Sequence, residues 1–122
     1  MKTATLTTAD LSQFTGSENW YRHSLNRDIR YTDGVQYVAE AGGAYWLLDE
    51  IALANRYQLR VKAEELQVWT LRRDERGNGA TLDCVDGNGN TVYSKRIEFT
   101  DFPLDTVKLF CVGGTILLPS EH

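Results

Sequence analysis

The sequence predicts an α+β domain: an antiparallel β-sheet meander with a central helix and a short N-terminal helix packed on one face. Two patterns carry this prediction. Leu66 to Arg72, Ala80 to Val85 and Thr91 to Phe99 alternate apolar and polar residues, and Arg76-Gly77-Asn78-Gly79 and Asp86-Gly87-Asn88-Gly89-Asn90 divide them. Gly and Asn tolerate left-handed backbone, so the dividers read as turns of a meander. Ahead of them, Ala44 to Arg56 places Ala44, Leu47, Leu48, Ile51 and Ala54 on one side of a 3.6-residue period. A helix stripe and a strand face each need an apolar surface to bury against, which gives a layered domain.

Taken in order, Thr7, Thr8 and Asp10 precede Leu11 and Phe14, and Gly16 closes the run, the pattern of a short helix with a polar start and a glycine stop. Ser17 to Leu25 carries Trp20, Tyr21 and His23 without clear periodicity, and suits a short helix or an ordered loop. From Asp28, Ile29 and Tyr31 lead into Thr32-Asp33-Gly34, followed by Val35 and Tyr37 alternating with Gln36 and Val38. This predicts two short antiparallel strands about an Asp-Gly turn, with Gly42-Gly43 ending the second. The opposite side of the central helix carries Trp46, Leu53 and Tyr57. Either Leu6, Leu11, Phe14 and Trp20 cover that stripe, or it is an exposed aromatic patch for a partner. A polar connection around Lys62 to Glu65 follows. At the C-terminal end, Val107 to Val112 and Thr115 to Leu118 flank Gly113-Gly114 as a last hairpin, and Pro119 ends pairing.

The 122 residues fit a single domain spanning 1–122, with 25% charged residues interspersed along the chain and a net charge of −4. That charge opposes broad nucleic-acid binding, which draws on clustered Lys and Arg; Arg72, Arg73 and Arg76, and the pair Lys95 and Arg96, read as solvated strand ends. No run of apolar residues is long enough for a membrane span, and no leader pattern stands at the start, so a cytoplasmic protein without membrane contact is expected. Cys84 and Cys111 lie in apolar runs and are expected to be buried, reduced thiols.

No constellation specifies catalysis. Asp86, Asn88 and Asn90 have calcium-loop spacing, but Thr91 stands where that loop needs Gly and Ile97 where it needs Glu, so a hairpin tip is expected. With no CxxC or HExxH pattern and a single internal histidine, His23, neither a metal nor another cofactor is expected. Gly42-Gly43 and Gly113-Gly114 lack a phosphate-loop context.

FTGSENWYRH, YTDGVQYVAEAGGAYWLLDEIA, LQVWTL, IEFTDFPLDTVKLF and LLPSEH, taken together from Phe14 to Glu121, resemble an uncharacterised bacterial family of small domains of unknown function, also found in mobile elements. The resemblance implies bacterial origin and a cytoplasmic or plasmid- and phage-borne accessory role, and transfers no catalytic residue. Two functions follow. One is a non-enzymatic interaction module that binds a protein partner or itself through Trp20, Tyr21, Arg22, His23, Asp33 and Trp46, because aromatics and Arg dominate interface energetics. The other is a small hydrolase-like or transferase-like enzyme using His23 and a carboxylate such as Asp33.

Overall fold

A computed structural model describes residues 6–15 and 19–122. Among these, the elements run α1 (Thr8–Ser12), β1 (Trp20–Arg22), β2 (Arg30–Thr32), α2 (Asp33–Gly42), α3 (Tyr45–Tyr57), α4 (Leu59–Lys62), β3 (Leu66–Arg73), β4 (Ala80–Val85), β5 (Thr91–Ile97), β6 (Thr106–Val112) and β7 (Thr115–Leu117), then a 3-10 turn at Pro119–Glu121. The expected α+β class holds.

The short first helix starts where expected: Thr7 accepts the N–H of Asp10 at 3.2 Å while the Asp10 carboxylate accepts that of Thr7 at 3.0 Å. Its proposed glycine stop, Gly16, lies outside the described residues. The segment containing Trp20 includes a short extended strand, Trp20–Arg22, rather than a helix, and the polar connection before β3 begins at the end of a short helix, α4, that was not expected.

The largest correction concerns Asp33 to Gly42. The expected second hairpin strand is helix α2, and Gly42-Gly43 closes a helix, with Gly43 left-handed at φ 62°. Thr32-Asp33-Gly34 is a helix start: the Thr32 hydroxyl accepts the N–H of Val35 at 3.3 Å, and Asp33 sits in the first turn, where a negative charge is favourable. The buried Val35, Val38, Ala39 and Gly42 follow helical spacing. Glu121, brought in from the far end of the chain, accepts the N–H of Gly34 at 3.2 Å and the Thr32 hydroxyl at 2.7 Å. Gly34 is what admits it, since a Cβ there would stand 2.7 Å from the Glu121 carboxylate and from Leu118.

The sheet is mostly antiparallel but mixed, in the order β1-β2-β7-β6-β3-β4-β5. Only β3-β4-β5 is the expected meander. β6 returns to the free side of β3, with Trp69 opposite Leu109, and β2 pairs with β1 antiparallel and with β7 parallel. A parallel pair needs a long crossover, and β3 to β6 together with α2 to α4 supply it. The DGNGN segment is the expected hairpin tip, where Asp86 accepts the N–H groups of Asn88 and Asn90 at 2.8 and 2.9 Å. Those donors, Asn90 foremost, hold the Asp86 carboxyl below its ordinary pKa.

The strand alternation sorts the sheet into two faces. On the inner face Gln67, Trp69 and Leu71 of β3, Ala80, Leu82 and Cys84 of β4, Val107, Leu109 and Cys111 of β6 and Ile116 of β7 are all buried. Leu47, Leu48 and Ile51 of α3 and Val35, Val38 and Ala39 of α2 belong to the same apolar cluster. Two polar contacts tie α3 to inner-face residues: Asn55 and Gln67 exchange side-chain hydrogen bonds at 3.0 and 2.7 Å, and Lys95 donates to Glu50 at 2.8 Å. By the same register the outer face carries Arg22, Arg30, Arg72, Arg96 and Lys108, against one strand carboxylate, Asp83.

Candidate functional site

The six residues singled out from the sequence separate into four places. Trp20 and Arg22 lie on the outer face of edge strand β1, exposed, with Trp20 52% accessible. The register puts Arg30 of β2 directly opposite Arg22 and diagonal to Trp20. The Arg30 guanidinium stands 5.8 Å from the Trp20 ring centre, and its Nε donates to the Thr115 hydroxyl at 2.9 Å. The arginine is thus held over the indole by a bond from the neighbouring strand, a cation–π arrangement that leaves much of the ring open. Arg22 donates to the carbonyl of Arg27 and so braces the loop after β1.

Tyr21 points to the other face, where its ring stacks on Tyr31 at 5.6 Å between centroids. Its hydroxyl donates to Asp33 Oδ1 at 2.9 Å, and the backbone N–H of Asn19 donates to Asp33 Oδ2 at 3.3 Å. The hydrogen bond to the Asp33 carboxylate holds the Tyr21 phenol above its ordinary pKa. Tyr45, at the start of α3, repeats the device: its hydroxyl donates to Glu40 at 2.9 Å, which with burial pushes its pKa up to about 12. These phenols are fixed as protonated donors, suited to contact rather than to proton abstraction.

His23 is 5% exposed. Its Nδ1 accepts the backbone N–H of Leu25 at 3.0 Å and faces that of Asn26 at 3.4 Å. An accepting Nδ1 puts the proton of the neutral ring on Nε2, which donates to Asp49 Oδ1 at 2.8 Å. Asn26 continues the same work by donating to the carbonyl of Ala52 at 2.9 Å. The imidazole therefore pins the loop between β1 and β2 to α3. The proposed pair of His23 with Asp33 is not formed, since each has a different partner.

Trp46 is half-buried against the core cluster. The outer stripe of α3 is not fully covered, because Leu53 and Tyr57 remain exposed, with Tyr57 beneath the Arg56 guanidinium at 5.6 Å. Trp20 does not cover that stripe, and Phe14 packs instead on Tyr37 of α2 at 5.4 Å. None of the six residues lines the cleft of about 1020 Å3 that opens between α1, β3, β6 and the C-terminal turn.

Three partners were not apparent from the sequence. Arg30 shares a face with Trp20 only through strand pairing. Asp49 and Glu121 meet His23 and Gly34 across 26 and 87 residues. For Arg30 the alternation with Tyr31 was a usable signal; for Glu121 no local signal exists.

No helix among the described residues is long and apolar enough to cross a membrane. Comparison with curated proteins and with solved structures finds no match. A family model matches residues 5–122, a span that takes in the Trp20 strand, the start of α2 and Glu121 alike, and the chain belongs to that family, the family of unknown function DUF6876.

Proposed function

We propose that the protein is a non-enzymatic interaction module whose contact surface is the outer-face patch around Trp20, Arg22 and Arg30. The observation that carries this reading is the half-exposed Trp20 ring held under the Arg30 guanidinium at 5.8 Å. An indole and a fixed guanidinium combine large contact area with directional donors at little ordering cost, the features of interface hot spots. β1 is also an edge strand of the sheet, so a partner can approach it from the side and from the face. α2 and α3 contribute to the inner-face cluster, and the outer face around Trp20 and Arg22 is left open to a protein partner or a second copy. The setting consistent with the family resemblance is a bacterial cytoplasm, in an accessory role on a mobile element.

The enzyme alternative needs a free acid or base. His23 has both ring nitrogens engaged and is buried, and Asp33 accepts from Tyr21 and Asn19, which weighs against it.

The test is affinity capture from a bacterial lysate with the wild type and with Trp20→Ala and Arg22→Ala. Loss of a specific co-purifying protein in both variants, with unchanged circular dichroism, supports the reading. Sedimentation of the purified chain distinguishes a second copy from another protein. Retention of every partner by Trp20→Ala, or turnover of a small molecule that requires His23, refutes it.

A further inference from the structure

β6 has an unfinished edge. Two bonds outside the strand ladders fix the direction of its backbone groups: Gly113 N–H donates to the Glu65 carbonyl at 3.0 Å and Arg73 N–H to the Asp105 carbonyl at 2.8 Å. Odd-numbered residues of this segment therefore bond toward β3, and by antiparallel alternation the even-numbered Thr106, Lys108, Phe110 and Val112 turn their N–H and C=O groups the other way. β7 takes up only part of that side, with Leu117 opposite Phe110 and Thr115 opposite Val112. Carrying the register on by two residues would set residue 119 opposite Lys108. Residue 119 is proline, which has no N–H to give, and the chain leaves the sheet there as the Pro119–Glu121 turn.

Among the described residues, the backbone N–H and C=O of Lys108 have no hydrogen-bond partner on that side. They open onto the cleft of about 1020 Å3, whose lining includes Leu11, Val107, Leu118, Thr70, Arg72 and Lys108. An open strand edge is normally covered, charged or shortened, because it pairs readily with any extended chain. Here it lies recessed, with apolar side chains beside it and three cations in the lining, Arg72, Lys108 and Arg73, the last donating to the Phe102 carbonyl. Lys108 has no ion-pair partner among the described residues, and Arg72 only a loose one, at 3.7 Å from Asp83.

We propose that this cleft binds an extended segment of a partner protein, which adds as a strand to β6 at Thr106–Lys108 and turns acidic side chains toward Arg72 and Lys108. Main-chain pairing supplies the affinity, and the charges and the apolar pocket select the sequence. The short open edge limits pairing to a few residues. Glu75 and Asp105, at the β3 end of the same cleft, repel a continuous polyphosphate, which favours a peptide over a nucleic acid. The cleft contains none of the residues of the Trp20 patch, so it is a site beyond the one proposed above.

The probe is a phage-displayed library of random dodecapeptides panned against the full chain. Selected peptides are then synthesised and titrated into the 15N-labelled protein. Expected are peptides with Asp or Glu at alternate positions that shift the amide resonances of Thr106 and Lys108. Their affinity should fall at least tenfold on Lys108→Glu, a substitution at an exposed position. It should fall similarly when alternate peptide nitrogens are methylated in the register that faces β6. No enrichment, or binding that leaves the Lys108 amide unmoved, or equal affinity after N-methylation in both registers, overturns the cleft assignment. Peptides whose binding depends on Trp20 and not on Lys108 overturn it too, while leaving the Trp20 reading standing.

Discussion

The two faces of the sheet are made by the same strands and spend their polar groups in opposite ways. On the inner face even Gln67 is fully used: its Oε1 accepts from Trp69 Nε1 at 2.9 Å and Asn55 Nδ2 at 3.0 Å, and its Nε2 donates to Asn55, to the Val61 carbonyl and to the Glu64 carbonyl. Burial favours that completeness, because an unpaired polar group there costs about 1–3 kcal/mol; among the described residues the exception is Arg73 Nε at the end of the same strand, buried without a partner. On the outer face Arg22, Arg30, Arg72 and Lys108 sit in a chain of net charge −4 with few or loose partners. The buried face is committed to stability, and most of the exposed strand cations lie on the other side.

The sharpest way to break the comparison is at the centre of the inner face. Trp69→Ala should destabilise by about 3–5 kcal/mol, because Trp69 is 1% exposed and its indole N–H is one of two donors to Gln67 Oε1. Urea unfolding measures it, and a loss below about 1 kcal/mol would mean that the sheet is buried from the other side. Ile51→Ala, on the helix that faces it, should cost about 2–5 kcal/mol.

The thiols test the same face by chemistry. Cys84 and Cys111 are free and buried, on strands that flank β3. Two strand spacings, roughly 9–10 Å, exceed the reach of a disulfide. Burial pushes both thiols from 9.0 up to about 12, so alkylation of the folded protein at pH 8 should run about 1000-fold slower than that of an ordinary thiol. Mass spectrometry after denaturation without reductant should find two labels per chain. The unfolded chain loses these protons first, so their contribution to stability is constant below pH 9 and falls as pH rises from 9 toward 12. Replacing both cysteines by alanine should flatten that fall.

A smaller effect is expected where the C-terminal turn meets α2. Glu121→Ala removes the acceptor of the Thr32 hydroxyl and of the Gly34 and Leu118 N–H groups, and should cost about 2 kcal/mol. Gly34→Ala, which crowds the same carboxylate, should cost about 1–3 kcal/mol. Thermal denaturation reads both.

That contact also explains what the sequence could not reveal. β3 to β7 were legible because their alternation and their Gly- and Asn-rich turns are local signals. Asp33 to Gly42 satisfied two periods at once: Val35 and Tyr37 alternate, while Val35, Val38, Ala39 and Gly42 keep helical spacing. Thr32-Asp33-Gly34 serves equally as a hairpin turn and as a helix start, and the choice is completed by Glu121 from the far end of the chain. The insertion of β6 beside β3 and the parallel pairing of β2 with β7 are long-range facts of the same kind. For the site, Trp20 and Arg22 could be picked out by residue type, but the arginine that covers the indole follows only from register. His23 stood out as the one internal histidine, whereas its partner Asp49 did not.

The smallest expected effect on stability sharpens the comparison from the outer side. Arg30→Ala removes the guanidinium over Trp20 and the bond to Thr115 Oγ1. Both groups are exposed to solvent, so the change should stay within about 0.5–1 kcal/mol, against several for Trp69→Ala. If the patch is a contact surface, the same substitution should weaken partner binding at least tenfold, because the indole loses its fixed cation and the interface loses a directional donor. A large loss of stability with no change in binding would instead make Arg30 a strut between β2 and β7 and remove the outer face's claim to function. Measuring unfolding and capture on the one variant decides between these, since a strut moves the first and a contact moves the second.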